Sequence, residues 1–177
     1  GKIWMTPFAM HTNTAVVSFD TATGEMDKVI LDPVGARMGG VLHRSSSGST
    51  SYWMQMLAVL SITKVNTADG TMTNFVDFPL GYLTGDNAGS GVVYDGVRYR
   101  GMPPRGSNFV LKVDLDTGNI VGFPVTDFPA GYALLDGSLD HVYAGGFDGQ
   151  NVYFIPRMGN MVIRMEKDTG NMTGFSN

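Results

Sequence analysis

Apolar and polar residues alternate along most of this 177-residue chain, and the alternation turns back at four glycines that follow Thr or Asp. They are Gly24, Gly70, Gly118 and Gly170, spaced 46, 48 and 52 residues apart. Five residues before each stands an apolar side chain (Phe19, Val65, Val113, Met165), as it does two after (Met26, Met72, Ile120, Met172) and five after (Val29, Phe75, Phe123, Phe175). Six before stand Ser18, Lys64, Lys112 and Arg164, and four before stand Asp20, Asn66, Asp114 and Glu166. Alternation that runs into a glycine turn and resumes beyond it predicts a β-hairpin, with the glycine at a positive-φ position. "DTATGEM", "NTADGTM", "DLDTGNI" and "EKDTGNM" are therefore four copies of one hairpin.

Upstream of each hairpin lies a further strand-like segment: "KIWMTP", "SYWMQM", "VRYRGMPP" and "NVYFIPR". Before the last two of these, "SGVVYDG" and "HVYAGGFDG" each end in a turn signal, which gives four strands per unit of about 48 residues. Four short antiparallel strands at this period are the signature of β-propeller blades. The expected fold is all-β, a propeller of four blade-like repeats at approximately 1–35, 36–82, 83–132 and 133–177, within a single domain of residues 1–177. The chain opens on the second strand of a blade, so the first repeat is expected to lack its inner strand. Either a small four-bladed ring closes imperfectly or, the reading favoured here, the chain is part of a larger propeller. "DFPLGY" at 77–82 and "DFPAGY" at 127–132 fall between the last strand of one repeat and the first of the next. There Pro79 and Pro129 stiffen the exit, Gly81 and Gly131 permit a turn, and Phe78, Tyr82, Phe128 and Tyr132 pack between neighbouring blades. "ILDPVGA" at 30–36 is a worn copy.

"GKIWMTPFAMHTNTAVVSFDTATGEM" resembles a repeat of the streptogramin-lyase-like propellers, whose blades read approximately Gly-x-Ile-Trp-Phe-Thr-Glu, a polar turn, an apolar strand and Asp-x-x-Thr-Gly. The likeness recurs in all four units. Blades of the NHL and quinoprotein types use the same Asp-x-x-Thr-Gly turn. In the lyases an acidic residue and histidines near the end of the second strand hold a metal and carry out elimination. The corresponding stretches here read "WMTPF", "WMQML", "RGMPP" and "FIPRM", without the Glu, so that mechanism transfers to no residue of this chain.

Composition narrows the picture further. Charged residues make up only 16% of the chain, and 24 glycines make it turn-rich, so little or no helix is expected. A net charge of −4 argues against a basic nucleic-acid footprint. No apolar run approaches the length of a transmembrane helix. The absence of cysteine removes disulfides and thiolate chemistry, and it fits every compartment equally.

His11, His43 and His141 form no paired metal motif, and no metal or cofactor is expected. His43 and His141 both fall near the expected start of an inner strand and could face the central channel; they are the candidates for any chemistry there. Two segments depart from the blade pattern. "MQMLAVLSI" at 54–62 places apolar Met54, Met56, Leu57, Val59 and Leu60 where the other repeats write a polar loop. "RYRGMPPRG" at 98–106 gathers Arg98, Arg100 and Arg105 in an acidic chain. Both are candidate contacts for a protein partner. The expected function is thus a non-catalytic scaffold or protein-interaction subunit of a larger assembly. The alternatives are a lyase-like or sugar/lactone-acting propeller enzyme working through its channel on a small-molecule ligand, and a carbohydrate- or small-ligand-binding propeller using Tyr94 and Tyr143.

Overall fold

The computed structural model of the chain describes residues 1–5, 15–30, 37–56, 61–82, 92–101, 108–134, 142–156 and 158–176. These form four antiparallel sheets and no α-helix; a single 3₁₀ turn lies at Val125–Asp127. The first sheet contains β1 (Lys2–Met5), β2 (Ala15–Asp20) and β3 (Met26–Ile30). The second contains β4 (Arg37–Arg44), β5 (Thr50–Met56), β6 (Ile62–Asn66) and β7 (Met72–Phe75). The third contains β8 (Val92–Tyr94), β9 (Arg98–Gly101), β10 (Phe109–Asp114) and β11 (Ile120–Pro124), and the fourth β12 (Val142–Phe147), β13 (Asn151–Pro156), β14 (Val162–Glu166) and β15 (Met172–Phe175). Each sheet is a meander in which strands adjacent in sequence pair. The chain divides into two compact units, residues 1–76 and 77–177, with two sheets in each.

The four marked glycines close the last hairpin of each sheet at φ of 77°, 74°, 79° and 80°. In every copy the glycine N–H donates to the carbonyl four residues back, at 2.8–3.0 Å, and the amide of that earlier residue donates across the turn. The polar side chain four before the glycine holds the loop. Asp20 Oδ1 accepts from the amides of Ala22 and Thr23, Asp114 Oδ1 from those of Asp116 and Thr117, and Asn66 Oδ1 from that of Ala68. Glu166, one methylene longer, reaches instead the hydroxyl of Thr169 and the amide of Asn171's side chain. Short acceptors that fold back on their own backbone are the reason Asp and Asn recur here.

Strand register sorts every sheet into two faces. One, called here the leading face, carries the pairs Phe19–Met26, Val65–Met72, Val113–Ile120 and Met165–Met172. The trailing face carries Ser18, Lys64, Lys112 and Arg164. Within the first unit, Trp4 and Val29 of the first sheet's trailing face pack with Tyr52, Val65 and Met72 of the second sheet's leading face. Within the second unit, Val110 and Phe123 of the third sheet's trailing face pack with Val152, Phe154, Ile163 and Met165 of the fourth sheet's leading face. Trailing face onto leading face is thus the packing rule in both units.

Candidate functional site

The stacking rule is made specific at the glycine turns. A Cβ built on Gly70 would touch Val29, and one built on Gly170 would run into the Phe123 ring. The residue five beyond one turn glycine therefore rests on the turn glycine of the next sheet. Cations six residues before the glycine lie over aromatic rings on the same face: Lys64 over Trp53 at 5.2 Å, Lys112 over Phe123 at 5.4 Å and Arg164 over Phe175 at 5.7 Å. In the first sheet Ser18 stands in place of the cation and Val29 in place of the phenylalanine, while Trp4, opposite Ser18, keeps the ring that Trp53 supplies opposite Lys64.

Both hexamers make the same turn, Tyr82 N–H to Pro79 carbonyl and Tyr132 N–H to Pro129 carbonyl, each at 3.0 Å, with Gly81 and Gly131 at φ of 79° and 84°. Tyr82 and Phe128 are buried, and Phe78 and Phe128 contact Tyr82 and Tyr132 with ring centroids 4.9 Å apart. Phe128 and Tyr132 belong to the core between the third and fourth sheets. Two residues not anticipated from the sequence lock these turns: the side-chain amides of Asn108 and Asn160 donate to the carbonyls of Gly81 and Gly131 at 2.8 and 2.9 Å. Asn160 Oδ1 also accepts from the Ala133 amide at 2.9 Å. Each proline then lies over a glycine of the following sheet's last strand, Pro79 on Gly122 and Pro129 on Gly174. Asn stands ten residues before, and Gly four after, the marked glycine only in the third and fourth repeats, the two that follow an intact hexamer.

The exposure of the faces differs from sheet to sheet. In the first sheet the trailing face is buried at Val16 and Ser18, whereas the leading face shows Ile3 53%, Met5 40%, Met26 67% and Ile30 54% exposed. The fourth sheet is the reverse. Its leading face buries Val152, Phe154, Ile163 and Met165, and its trailing face shows Ile155 and Phe175 about half exposed. The second and third sheets bury residues on both faces, including Val65 and Trp53 in the second and Val113 and Val110 in the third. These exposed rows constitute the candidate interaction surface. Composition does not reveal them, because apolar residues at the place of Ile3 in the second and fourth sheets, Tyr52 and Val152, are buried.

The residues singled out from the sequence are dispersed. His43 is only 2% exposed and is the penultimate residue of β4, not near its start. The strand begins earlier because Gly39 and Gly40 do not end it; a register shift between Met38 and Gly40 carries the ladder on. His11 and His141 lie outside the described residues. Met54 and Met56 belong to β5, not to a loop, and Leu57, Val59 and Leu60 lie outside the described residues. Ser61 and Ile62, which end that segment, are buried. Arg98 and Arg100 belong to β9, and Arg105 lies outside the described residues. The Arg98 guanidinium is turned to an internal use, donating to Asp168 at 3.1 Å and to the Lys167 carbonyl at 3.3 Å, which ties β9 to the last hairpin. The Lys167 ammonium and then Arg98 hold the Asp168 carboxyl below its ordinary pKa. The Tyr94 hydroxyl donates to the Gly96 carbonyl at 2.6 Å, and the Tyr143 side chain is outside the described residues.

Among the described carboxylates, Asp148 is the most perturbed. The amides of Asn151 and Gln150 and the Tyr153 hydroxyl donate to it, holding its pKa far below the ordinary range. This is turn chemistry, an acceptor saturated by its own loop. A shallow groove of about 490 Å³ on the first sheet is lined by Lys2, Ser18, Asp20, Glu25, Met26 and Asp27. Among the described residues no group of three or more His, Asp or Glu is placed to hold a metal ion, and no helix is long and apolar enough to cross a membrane.

No protein-family profile matches the chain, and no curated protein sequence matches it. Among solved structures, an auxiliary nutrient binding protein from Bacteroides ovatus ATCC 8483 is similar over 95% of this chain, with a TM-score of 0.57 at 17% identity. The chain spans 42% of that protein's length. A chain of a nidogen/laminin complex is matched over 100% of this chain and 94% of its own, with a TM-score of 0.45 at 9% identity. At such identities the nutrient-binding protein shares a fold with this chain, and the likeness extends no further.

Proposed function

We propose that the four sheets are blades of a β-propeller and that the chain serves as a non-catalytic protein-interaction module within a larger assembly. The propeller reading rests on the trailing-to-leading packing repeated within each unit and on the two hexamers, each of which makes the same turn and sets its proline over a glycine of the sheet that follows. The interaction reading rests on one observation above the rest: Ile3, Met5, Met26 and Ile30 are exposed on one face of the first sheet, with Lys28 among them. At the place of Ile3 the second and fourth sheets bury Tyr52 and Val152, whereas Val76, at the place of Ile30, is exposed as well. Polar side chains that a search for chemistry would single out are spent on turns: Asp20, Asp114 and Asp148 on backbone amides, and Asp168 on Arg98.

The test is the native size of the tagged 177-residue chain expressed in the cells that make the protein, by gel filtration of their extract. The expected result is elution well above the 19.0 kDa of the chain, and a return to that size for Met26→Glu/Ile30→Glu. Elution of the unaltered chain as a free 19.0 kDa species would overturn the reading.

A further inference from the structure

Asn171-Met172-Thr173 is the one Asn-x-Ser/Thr triplet in the sequence, and its middle residue is not proline. Such a triplet is the acceptor pattern for N-linked glycosylation: the side-chain amide takes the sugar, and the hydroxyl two residues on is read by the transferase. Asn171 follows the turn glycine Gly170, and Met172 and Thr173 open β15, the last strand of the fourth sheet. Met172 lies on the leading face opposite Met165 and packs against the core, so Thr173 falls on the other face. Asn171 and Thr173 are both exposed.

This exposure belongs to the position in the repeat. In the first and third sheets the trailing face packs against the next sheet of the same unit. The residues at the two corresponding places, Glu25 and Asp27 in the first and Asn119 and Val121 in the third, are nevertheless exposed. A covering sheet therefore leaves this outer rim open. The amide is also available for reaction. The backbone N–H of Asn171 donates to the Thr169 hydroxyl at 3.1 Å, whereas the side-chain Nδ2 reaches Glu166 Oε2 only at 3.4 Å. A glycan replaces one of the two hydrogens on Nδ2, and the other is left for Glu166.

We propose that Asn171 is an N-glycosylation site, its Nδ2 bonded to the anomeric carbon of an oligosaccharide. The donor is an oligosaccharide joined through pyrophosphate to a lipid. The bond from Nδ2 to the anomeric carbon forms, the bond from that carbon to the pyrophosphate oxygen breaks, the lipid pyrophosphate departs, and the amide gives up one proton. This goes beyond the interaction reading and does not rest on it. It also assigns the chain to a route on which such donors are presented, outside the cytosol. Asn119 is the internal control: it occupies the same exposed place in the third hairpin, but Val121 stands where Thr173 stands in the fourth.

The test is mass spectrometry of the full-length protein isolated from the cells that make it. Trypsin cuts after Lys167, so the peptide that begins at Asp168 carries Asn171. That peptide is expected to bear an oligosaccharide. An amidase that releases N-glycans, used in heavy-oxygen water, is expected to leave a labelled Asp at position 171. In the same cells Thr173→Ala is expected to abolish the glycan and Thr173→Ser to retain it, while Val121→Thr is expected to add a second glycan at Asn119. The altered residues are exposed, and circular dichroism is expected to show the fold unchanged. Asn171 recovered without a sugar overturns the proposal, whether or not Val121→Thr acquires one at Asn119. A glycan on this peptide that survives Asn171→Gln overturns it as well.

Discussion

Gly170→Ala isolates the contact on which the sheet packing depends. Gly170 has φ of 80°, a conformation in which an added Cβ costs about 1–2 kcal/mol whatever surrounds it. Its Cβ would also be driven into the Phe123 ring, which is itself wedged into the core between the third and fourth sheets. Overpacking of that kind costs about a further 1–3 kcal/mol, so the total is about 2–5 kcal/mol. Gly149, in the same unit, has φ of 102° with nothing within 4 Å of its Cβ, so Gly149→Ala carries only the backbone cost. The excess of the first over the second measures the inter-sheet contact, about 1–3 kcal/mol or roughly 2–4 °C of Tm for each kcal/mol in a chain of this size. Both tryptophans, Trp4 and Trp53, lie in the first unit, so indole fluorescence would miss the relevant transition; far-UV circular dichroism in urea reads it. With Phe123→Ala as background, the excess is expected to vanish, because the obstructing ring is gone. Equal costs for Gly170→Ala and Gly149→Ala would refute the claim that Phe123 seats on this turn.

Asn160→Ala removes two hydrogen bonds to the second hexamer, and, Asn160 being exposed, a loss of about 1–2 kcal/mol is expected, with faster hydrogen exchange at the Ala133 amide. Asn160→Asp keeps the acceptor for Ala133 and loses the donor to Gly131, and is expected to protect that amide more than Ala does. Lys112→Met, which leaves Phe123 without its overlying cation, is expected to cost about 0.5–1 kcal/mol in urea unfolding, with an unchanged circular dichroism spectrum. Stability is expected to fall as pH drops below the ordinary carboxylate value of about 4. Asp148, Asp20 and Asp69 all have folded-state pKa values below it, so their contribution is present above that value and is lost as they protonate in the native state; Asp148→Asn is expected to flatten the acid limb of a pH–Tm series. At the other extreme, burial pushes the Tyr132 hydroxyl up to about 12. Its contribution is complete below the ordinary tyrosine value of about 10 and is lost as pH rises towards 12, a decline that Tyr132→Phe is expected to reduce.

The sheets were legible because each hairpin is specified locally. An Asp or Asn that folds onto its own backbone, a glycine that accepts positive φ, and alternation on both sides require no knowledge of the rest of the molecule. The strand content followed from the same signals, and the hexamer turns followed from Pro and Gly. Asn108 and Asn160 were less visible because their role is a contact 27 and 29 residues back in the chain, to Gly81 and Gly131, that no local pattern announces. A signal for them existed nonetheless: Asn at −10 and Gly at +4 both appear in the repeats that follow an intact hexamer and are both absent from the other two.

The candidate site was hidden for a different physical reason. Arg98 and Arg100 stood out by their charge, yet a charge in sequence does not reveal whether Asp168, 70 residues later, will neutralise it. The apolar segment at 54–62 stood out by its hydropathy, yet β5 runs on to Met56 and Ile62 is completely buried. Conversely, Met26 and Met72 occupy the same place in the same hairpin and are indistinguishable by type, yet Met72 packs against Val29 and Trp4 while Met26 is exposed. In a repeat built this way, position within the repeat determines which face a side chain occupies. Its neighbour determines whether that face is covered, as Trp4 and Val29 of the first sheet pack against Tyr52, Val65 and Met72 of the second.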